Sequence, residues 1–180
     1  MPVRVPTYTV DDLEAFPSDG NRYELLDGVL LVTPSPSFGH QLIGSRLAVL
    51  LSRYLDPFNR AIVIGPGAVE HRPLTHLEPD VLVISKGHRR NTKWNDIRDW
   101  WLAVEVMSRS SRRYDRDFKR DAYLALGVPE VWLIDPREEE VLVSRQAGPK
   151  DRRCRGKLLW TPPGMPAPLE LDLAALFADG

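Results

Sequence analysis

Two carboxylates stand where a fold alone has little use for them. Glu105 lies inside the apolar run WLAVEVM, with Val104 and Val106 beside it. Strand alternation puts Trp101, Ala103 and Met107 on its own face. A charge buried there must be paired, protonated or bound to a metal, because an isolated one is too costly to desolvate. Asp80 follows Pro79 at the mouth of a second apolar run, PDVLVIS, expected to neighbour the Glu105 strand. Two carboxylates on adjacent strands can share one hard cation such as Mg2+, which takes few protein ligands and keeps several waters. The plainer alternative is a strand-end aspartate and a glutamate paired with an arginine.

Lys119 is the third candidate. If Asp115 caps a helix, then Asp115, Lys119 and Tyr123 stand at i, i+4 and i+8 and form one polar stripe. Phe118, Ala122 and Leu126 then lie on the neighbouring, core-facing side. A helix that follows the Glu105 strand after a short link can lay Lys119 back over the strand's end. There an ammonium orients a water or stabilises charge on a phosphoryl group. Without that context a helical lysine is a solvated surface residue.

The elements that must position these groups read as follows. TYTVDDLEAF, residues 7–16, predicts a short helix capped by Thr9, with Asp11 and Asp12 in its first turn. Asp27-Gly28 between apolar runs signals a hairpin. Apolar residues at helical spacing from His40 to Leu55 predict an amphipathic helix. AIVIGPGAVE reads as a strand interrupted by a Gly-Pro-Gly bend, and PDVLVIS and WLAVEVM as buried strands separated by the polar stretch 86–99. The Asp115 helix ends at Leu126, with Gly127 and Pro129 beyond it. EVWLIDP and VLVSRQ are further strands around an acidic turn at Arg137–Glu140, and DLAALFAD is a last short helix. This order predicts one α/β domain over residues 1–180, a mixed β-sheet flanked by α-helices.

Length and composition agree: 180 residues, 43% hydrophobic and 27% charged, suit one domain with a sizeable core. Cys154 is the single cysteine, which excludes an internal disulfide, and no Cys/His spacing reads as a zinc site. With no signal-peptide pattern and no apolar run of membrane-spanning length, cytoplasmic localisation without membrane association is the expectation. Net charge is −1, but its distribution is uneven. Residues 86–120 carry eleven Lys or Arg against five acids, and KDRRCRGK at 150–157 carries five against one, whereas the first 85 residues are net acidic. Such segregation attracts phosphate backbones, unless the second cluster is simply a solvated charged loop. Trp94 and Trp100, if exposed, are candidate interface anchors.

The blocks RYELLDG, PSPSFGHQ, EPDVLVI and LAVEVMSRSSRRYDRDFKRDAYLALGVPEVWLIDP, with the C-terminal DLAALF, resemble the Uma2 family of the PD-(D/E)XK nuclease superfamily. The resemblance runs from about Tyr8 to Val143. It implies a restriction-endonuclease-like core, with Asp80 and Glu105 as ligands of Mg2+ or Mn2+ and the Val106 backbone carbonyl as a further one. The activity it implies is metal-dependent endonucleolytic hydrolysis of DNA, for which nucleases of this fold often dimerise. One departure stands out: the lysine of (D/E)XK falls at Met107, and a thioether cannot replace an ammonium. In the Uma2-like pattern the basic residue is displaced onto the following helix, at Lys119. Arg109 departs from the EVLSPS-like pattern and adds positive charge, as do Arg112 and Arg113.

Glu24 resembles an acid that these nucleases add as another ligand; its alternative is a pairing with Arg22 or a lysine. His40 and Gln41 resemble the family's HQ pair and either contact phosphate or cap the helix. Tyr123 either supports Glu24 or Lys119 by a hydrogen bond or is half-buried helix surface. The competing class is a catalytically inactive nucleic-acid-binding or homo-oligomeric module that retains the fold. Phosphate-loop and serine-hydrolase motifs are absent, and His71 and His76 do not share a helical face.

Overall fold

A computed structural model describes residues 7–179. The elements in chain order begin with strands β1 (Arg22–Leu26) and β2 (Val29–Thr33), helix α1 (Phe38–Leu55) and strand β3 (Ala61–Ile64). Strands β4 (Val69–His71), β5 (Thr75–Leu77), β6 (Val81–Ser85) and β7 (Trp100–Val106) follow. Next come α2 (Arg112–Tyr114), a π-helical turn (Asp115–Lys119) and α3 (Arg120–Leu126), which run on without a break. The chain closes with β8 (Glu130–Asp135), β9 (Glu140–Arg145), β10 (Arg152–Cys154), β11 (Lys157–Trp160), β12 (Leu169–Asp172) and α4 (Leu173–Phe177).

The central six-stranded sheet has the order β10-β9-β8-β7-β6-β3. Only β7 and β8 are parallel, because the α2–α3 crossover returns the chain to the same end; its other pairs are antiparallel. A second sheet, β2-β1-β5-β4, begins with the β1–β2 hairpin, whose Asp27 and Gly28 both take positive φ. β11 and β12 pair separately.

Alternation along the strands divides the core in two. Val81, Val83, Leu102, Val104, Val106 and Ile134 pack with Ile43, Leu47, Leu51 and Leu55, the buried stripe of α1. Leu82, Ile84, Ala103, Met107, Val131 and Leu133 pack on the other side with Tyr123 of α3 and with Leu31, Val69 and Leu77 of the smaller sheet. Glu105 shares this second parity, so its side chain is driven toward α3 while Val104 and Val106 face α1. The mixed sheet flanked by helices matches the expected α/β architecture.

Several local expectations change. The N-terminal helix shrinks to a 3-10 turn at Asp11–Ala15, and Thr9 stands at its start, its Oγ1 accepting from the Asp12 N–H at 3.4 Å while its own N–H and hydroxyl donate to the Asp12 carboxylate. AIVIGPGAVE divides into β3 and β4, which join different sheets. The bend tolerates no bulk: a Cβ on Gly65 would lie 3.0 Å from the Asp80 carbonyl, and one on Gly67 2.8 Å from Leu82. The third long helix begins at Arg112, so Asp115 is not a cap but part of a π-turn inside it. Its polar stripe is the inward face. Asp115, Lys119 and Tyr123 are buried while Phe118 is exposed and Ala122 and Leu126 are half-buried, the reverse of the expected orientation.

Candidate active site

A cleft of about 490 Å3 opens where the start of β6, the end of β7 and the first turns of α1 and α2 meet. Each strand contributes through its end. Asp80 immediately precedes β6, Glu105 is the penultimate residue of β7, and Glu24 and Arg22 share one face of β1 by alternation.

Asp80 is held from three sides. Its Oδ1 accepts from Arg22 Nη1 and Nη2 at 3.1 and 3.0 Å. Its Oδ2 accepts from the Val106 N–H at 2.8 Å and lies 3.0 Å from His40 Nε2. Burial works to raise its pKa, but His40, Arg22 and the Val106 N–H outweigh it and hold the carboxyl below its usual range. The neighbouring Met107 N–H points the other way, to the Ile134 carbonyl at 2.8 Å. An extended residue carries its N–H and C=O on one edge, so the Val106 carbonyl faces the Asp80 side.

Glu105 is buried and asymmetric. Its Oε1 accepts from Lys119 Nζ at 3.0 Å and from the Tyr123 hydroxyl at 2.6 Å, while Oε2 has no hydrogen-bond partner among the described residues. Burial pushes its carboxyl well above the usual range against the pull of Lys119, and Asp115, Asp80 and Glu24 add to the rise. The same surroundings, burial first and Glu105 next, raise Tyr123 well above an ordinary phenol.

Lys119, which is 2% exposed, faces three acids: Glu24 Oε2 at 2.8 Å, Glu105 Oε1 at 3.0 Å and Asp115 Oδ1 at 3.7 Å. Burial opposes its charge, but Glu105, Glu24 and Asp115 outweigh that and keep the ammonium protonated. Glu24 is anchored by the Glu78 N–H on its other oxygen, at 2.7 Å. Asp115 is buried with neither oxygen accepting a well-formed hydrogen bond. Burial pushes its carboxyl up to about 6, opposed by Lys119 and the Ser111 hydroxyl.

The sequence-derived candidates therefore separate. Asp80, Glu105, Lys119, Glu24 and Tyr123 come together, and Met107, buried against the second core, gives the cleft wall an uncharged thioether where the superfamily pattern has a lysine. Glu24 takes the lysine pairing, and Tyr123 supports Glu105 rather than Glu24 or Lys119. His40 divides its roles: the N–H meets the Ser37 cap while the ring reaches Asp80. Gln41 is exposed beside it. Arg109 is exposed at the cleft mouth with no carboxylate partner among the described residues. Arg112 is clamped on Asp135, with Nη2 2.7 Å from Oδ1, and Arg113 points to solvent with Asp117 3.9 Å away.

Arg22 and Asp115 were missed as site residues. Arg22 was legible from its spacing to Glu24, and Asp115 from its i, i+4 relation to Lys119, had the stripe been read as inward-facing. The 150–157 cluster is largely neutralised: Lys150 meets Asp121, Arg153 and Arg155 meet Glu140, and Lys157 meets Glu170. Arg89, Arg90 and Lys93 are exposed and lack carboxylate partners among the described residues, but they follow the end of β6 opposite to Asp80. Trp100 is buried and Trp94 half-buried, so Trp100 is no interface anchor. Among the described residues, no helix is long and apolar enough to cross a membrane.

The donors are of the type a hard divalent cation takes, but they are paired among themselves. Among the described residues, no three His, Cys, Asp or Glu side chains already converge as a cation cage. What fits the ion is the charge balance and the free Glu105 oxygen. Four carboxyl groups, Glu24, Asp80, Glu105 and Asp115, face two fixed cations, Arg22 and Lys119, and the raised Glu105 and Asp115 carboxyls mark the shortage of positive charge there.

No curated protein matches the chain. Among solved structures, a crystal structure described as a "putative nuclease belonging to DUF820" from Anabaena variabilis has the same fold, with a TM-score of 0.74 at 20% identity over 94% of this chain and 97% of that one. The profile of the Uma2 family, described as "Putative restriction endonuclease", matches residues 10–174, and the chain belongs to that family.

Proposed function

We propose that this protein is a divalent-cation-dependent endonuclease that hydrolyses phosphodiester bonds of DNA at the Asp80–Glu105 cleft. The observation that carries the reading is the convergence of four carboxylates from four separate elements, Glu24, Glu105 and Asp115 buried and Asp80 half-buried, on only two fixed cations. A fold does not retain such an excess of buried negative charge for stability alone.

Asp80, the free Oε2 of Glu105 and the Val106 carbonyl would hold Mg2+ or Mn2+. The bound ion would supply an activated water and neutralise phosphate charge. The protein's own groups do the rest. Tyr123 fixes the Glu105 carboxylate by its hydrogen bond, and Arg22 fixes Asp80. Lys119 keeps its proton, so it serves as a donor that orients a water or stabilises charge on phosphate, not as a base. Glu24 holds Lys119 from behind. Arg109, unpaired at the mouth, meets a backbone phosphate. A homodimer would bring a second cleft to the opposite strand.

The test is cleavage of linear, supercoiled and single-stranded DNA in Mg2+ or Mn2+ by wild type, Asp80→Ala and Glu105→Ala. Cation-dependent cutting lost in both variants is the expected result; cutting that survives either one refutes the assignment. One observation favours a second reading, an inactive nucleic-acid-binding module: both Asp80 oxygens are already engaged by Arg22, His40 and Val106. Calorimetric titration with Mn2+ separates the two, because the inactive module binds no ion that depends on both carboxylates.

A further inference from the structure

The Lys119 ammonium has three carboxylates around it and holds two closely. Glu24 and Glu105 are at 2.8 and 3.0 Å, and Asp115 waits at 3.7 Å. Asp115 is 1% exposed, lines the cleft, and accepts no well-formed hydrogen bond on either oxygen. Leaving a buried carboxylate without a well-formed hydrogen bond is costly, and Lys119 at 3.7 Å and the Ser111 hydroxyl offset that cost only in part. The helix is also distorted at this point. Asp115 and Lys119 begin and end the π-turn, a wide turn that recurs at functional sites.

The cation reading, on which this inference rests, creates a difficulty that Asp115 is placed to relieve. A divalent ion at Glu105 and the Lys119 ammonium are like charges competing for one carboxylate. Lys119 is buried, and moving its ammonium out to water would give up all three of its acids at once. Among the described residues, the other acid within 4 Å of its ammonium is Asp115, and a shift of Nζ by about 1 Å brings it to hydrogen-bond distance.

We propose that Asp115 is a positioning residue that receives Lys119 when a divalent cation claims Glu105, so that the cation enters without expelling the lysine from the cleft. The bonded pairs in the cation-free site are Lys119–Glu105 and Lys119–Glu24; in the loaded site Lys119–Asp115 replaces the first. No proton changes hands, since Lys119 stays charged in both states.

The experiment is a double-mutant cycle read by Mn2+ affinity in calorimetry, with wild type, Asp115→Asn, Lys119→Met and the double variant. With Lys119 present, Asp115→Asn should weaken Mn2+ binding about tenfold. In the Lys119→Met background, where no ammonium needs a new partner, the same substitution should have a clearly smaller effect. Equal loss in both backgrounds would mean that Asp115 acts only through long-range charge, and would overturn the proposal. Should Lys119→Met fail to fold, the Lys119 15Nζ resonance gives the second measurement. Mg2+ should shift it in wild type and not in Asp115→Asn; an identical shift in both overturns the proposal. If wild type binds neither cation, the reading of the site falls, and this inference falls with it.

Discussion

The ion pairs of the cleft and those on β9–β10 and β11–β12 are built from the same side chains, but they differ in whether water reaches the basic partner. At the edge, Glu140 meets Arg153 and Arg155, and Lys157 meets Glu170, with the basic partners more than half exposed. Water reaches the cationic end of each pair, and buried Glu140 has two such partners, so the loss of any one of them is cushioned. In the cleft Glu24, Glu105, Asp115 and Lys119 are all 2% exposed or less, and each missing partner leaves a bare charge in a poor dielectric. Each of these edge acids has at least one basic partner of its own, whereas in the cleft Glu24, Glu105 and Asp115 share Lys119. That imbalance, rather than the number of charges, marks the functional region.

The comparison breaks most readily at Lys119. Lys119→Met should lower stability by about 3–5 kcal/mol, because Glu24 and Glu105 are left buried without their cation. Urea denaturation measures this, and a loss no greater than at an edge lysine would erase the distinction. Asp115→Asn should do the opposite and stabilise the cation-free protein at neutral pH by on the order of 2 kcal/mol. The sign follows from the raised carboxyl. Below the unfolded value of 3.8 both states are protonated and the substitution changes nothing. As pH rises from there to about 6 the folded wild type is penalised for ionising, and above about 6 the penalty is complete. Denaturation midpoints of the two proteins at several pH values should therefore converge on acidification; a constant difference contradicts the assignment to Asp115.

Tyr123→Phe removes one hydrogen bond to a buried carboxylate and should cost about 1–3 kcal/mol in the same assay. It should also reduce DNA cleavage, since Glu105 loses the donor that fixes its Oε1. The smallest effects belong to the surface. Lys157→Ala should leave the denaturation midpoint unchanged, while Arg109→Ala at the cleft mouth should reduce the slope of log affinity for DNA against log salt by about one. A larger change in that slope from Lys157→Ala than from Arg109→Ala would place DNA on the edge instead of in the cleft.

How much of this was legible in the sequence follows from how local each signal is. The β1–β2 hairpin, α1 and the buried strands β6 and β7 were readable because turn residues and hydrophobic period are properties of short windows. Glu105 was conspicuous for the same reason, a charge inside WLAVEVM. The inward face of the third helix was misread because periodicity treats a stripe of Asp115, Lys119 and Tyr123 as polar, hence outward. Only the tertiary partners Glu24 and Glu105 make an inward lysine affordable. The basic 150–157 cluster stays open in the sequence between a phosphate-attracting patch and a solvated loop, since its neutralising acids, Asp121, Glu140 and Glu170, come from other strands and helices. Arg22 went unassigned because its reach to Asp80 spans 58 residues.

The central claim is that Asp80 and Glu105 together hold a divalent cation. Anomalous diffraction from crystals soaked in Mn2+ tests it most directly. The account predicts one strong peak at coordination distance from Asp80, the Oε2 of Glu105 and the Val106 carbonyl. An empty cleft with the Asp80–Arg22 and Glu105–Lys119 pairs intact, or a peak elsewhere, would contradict it.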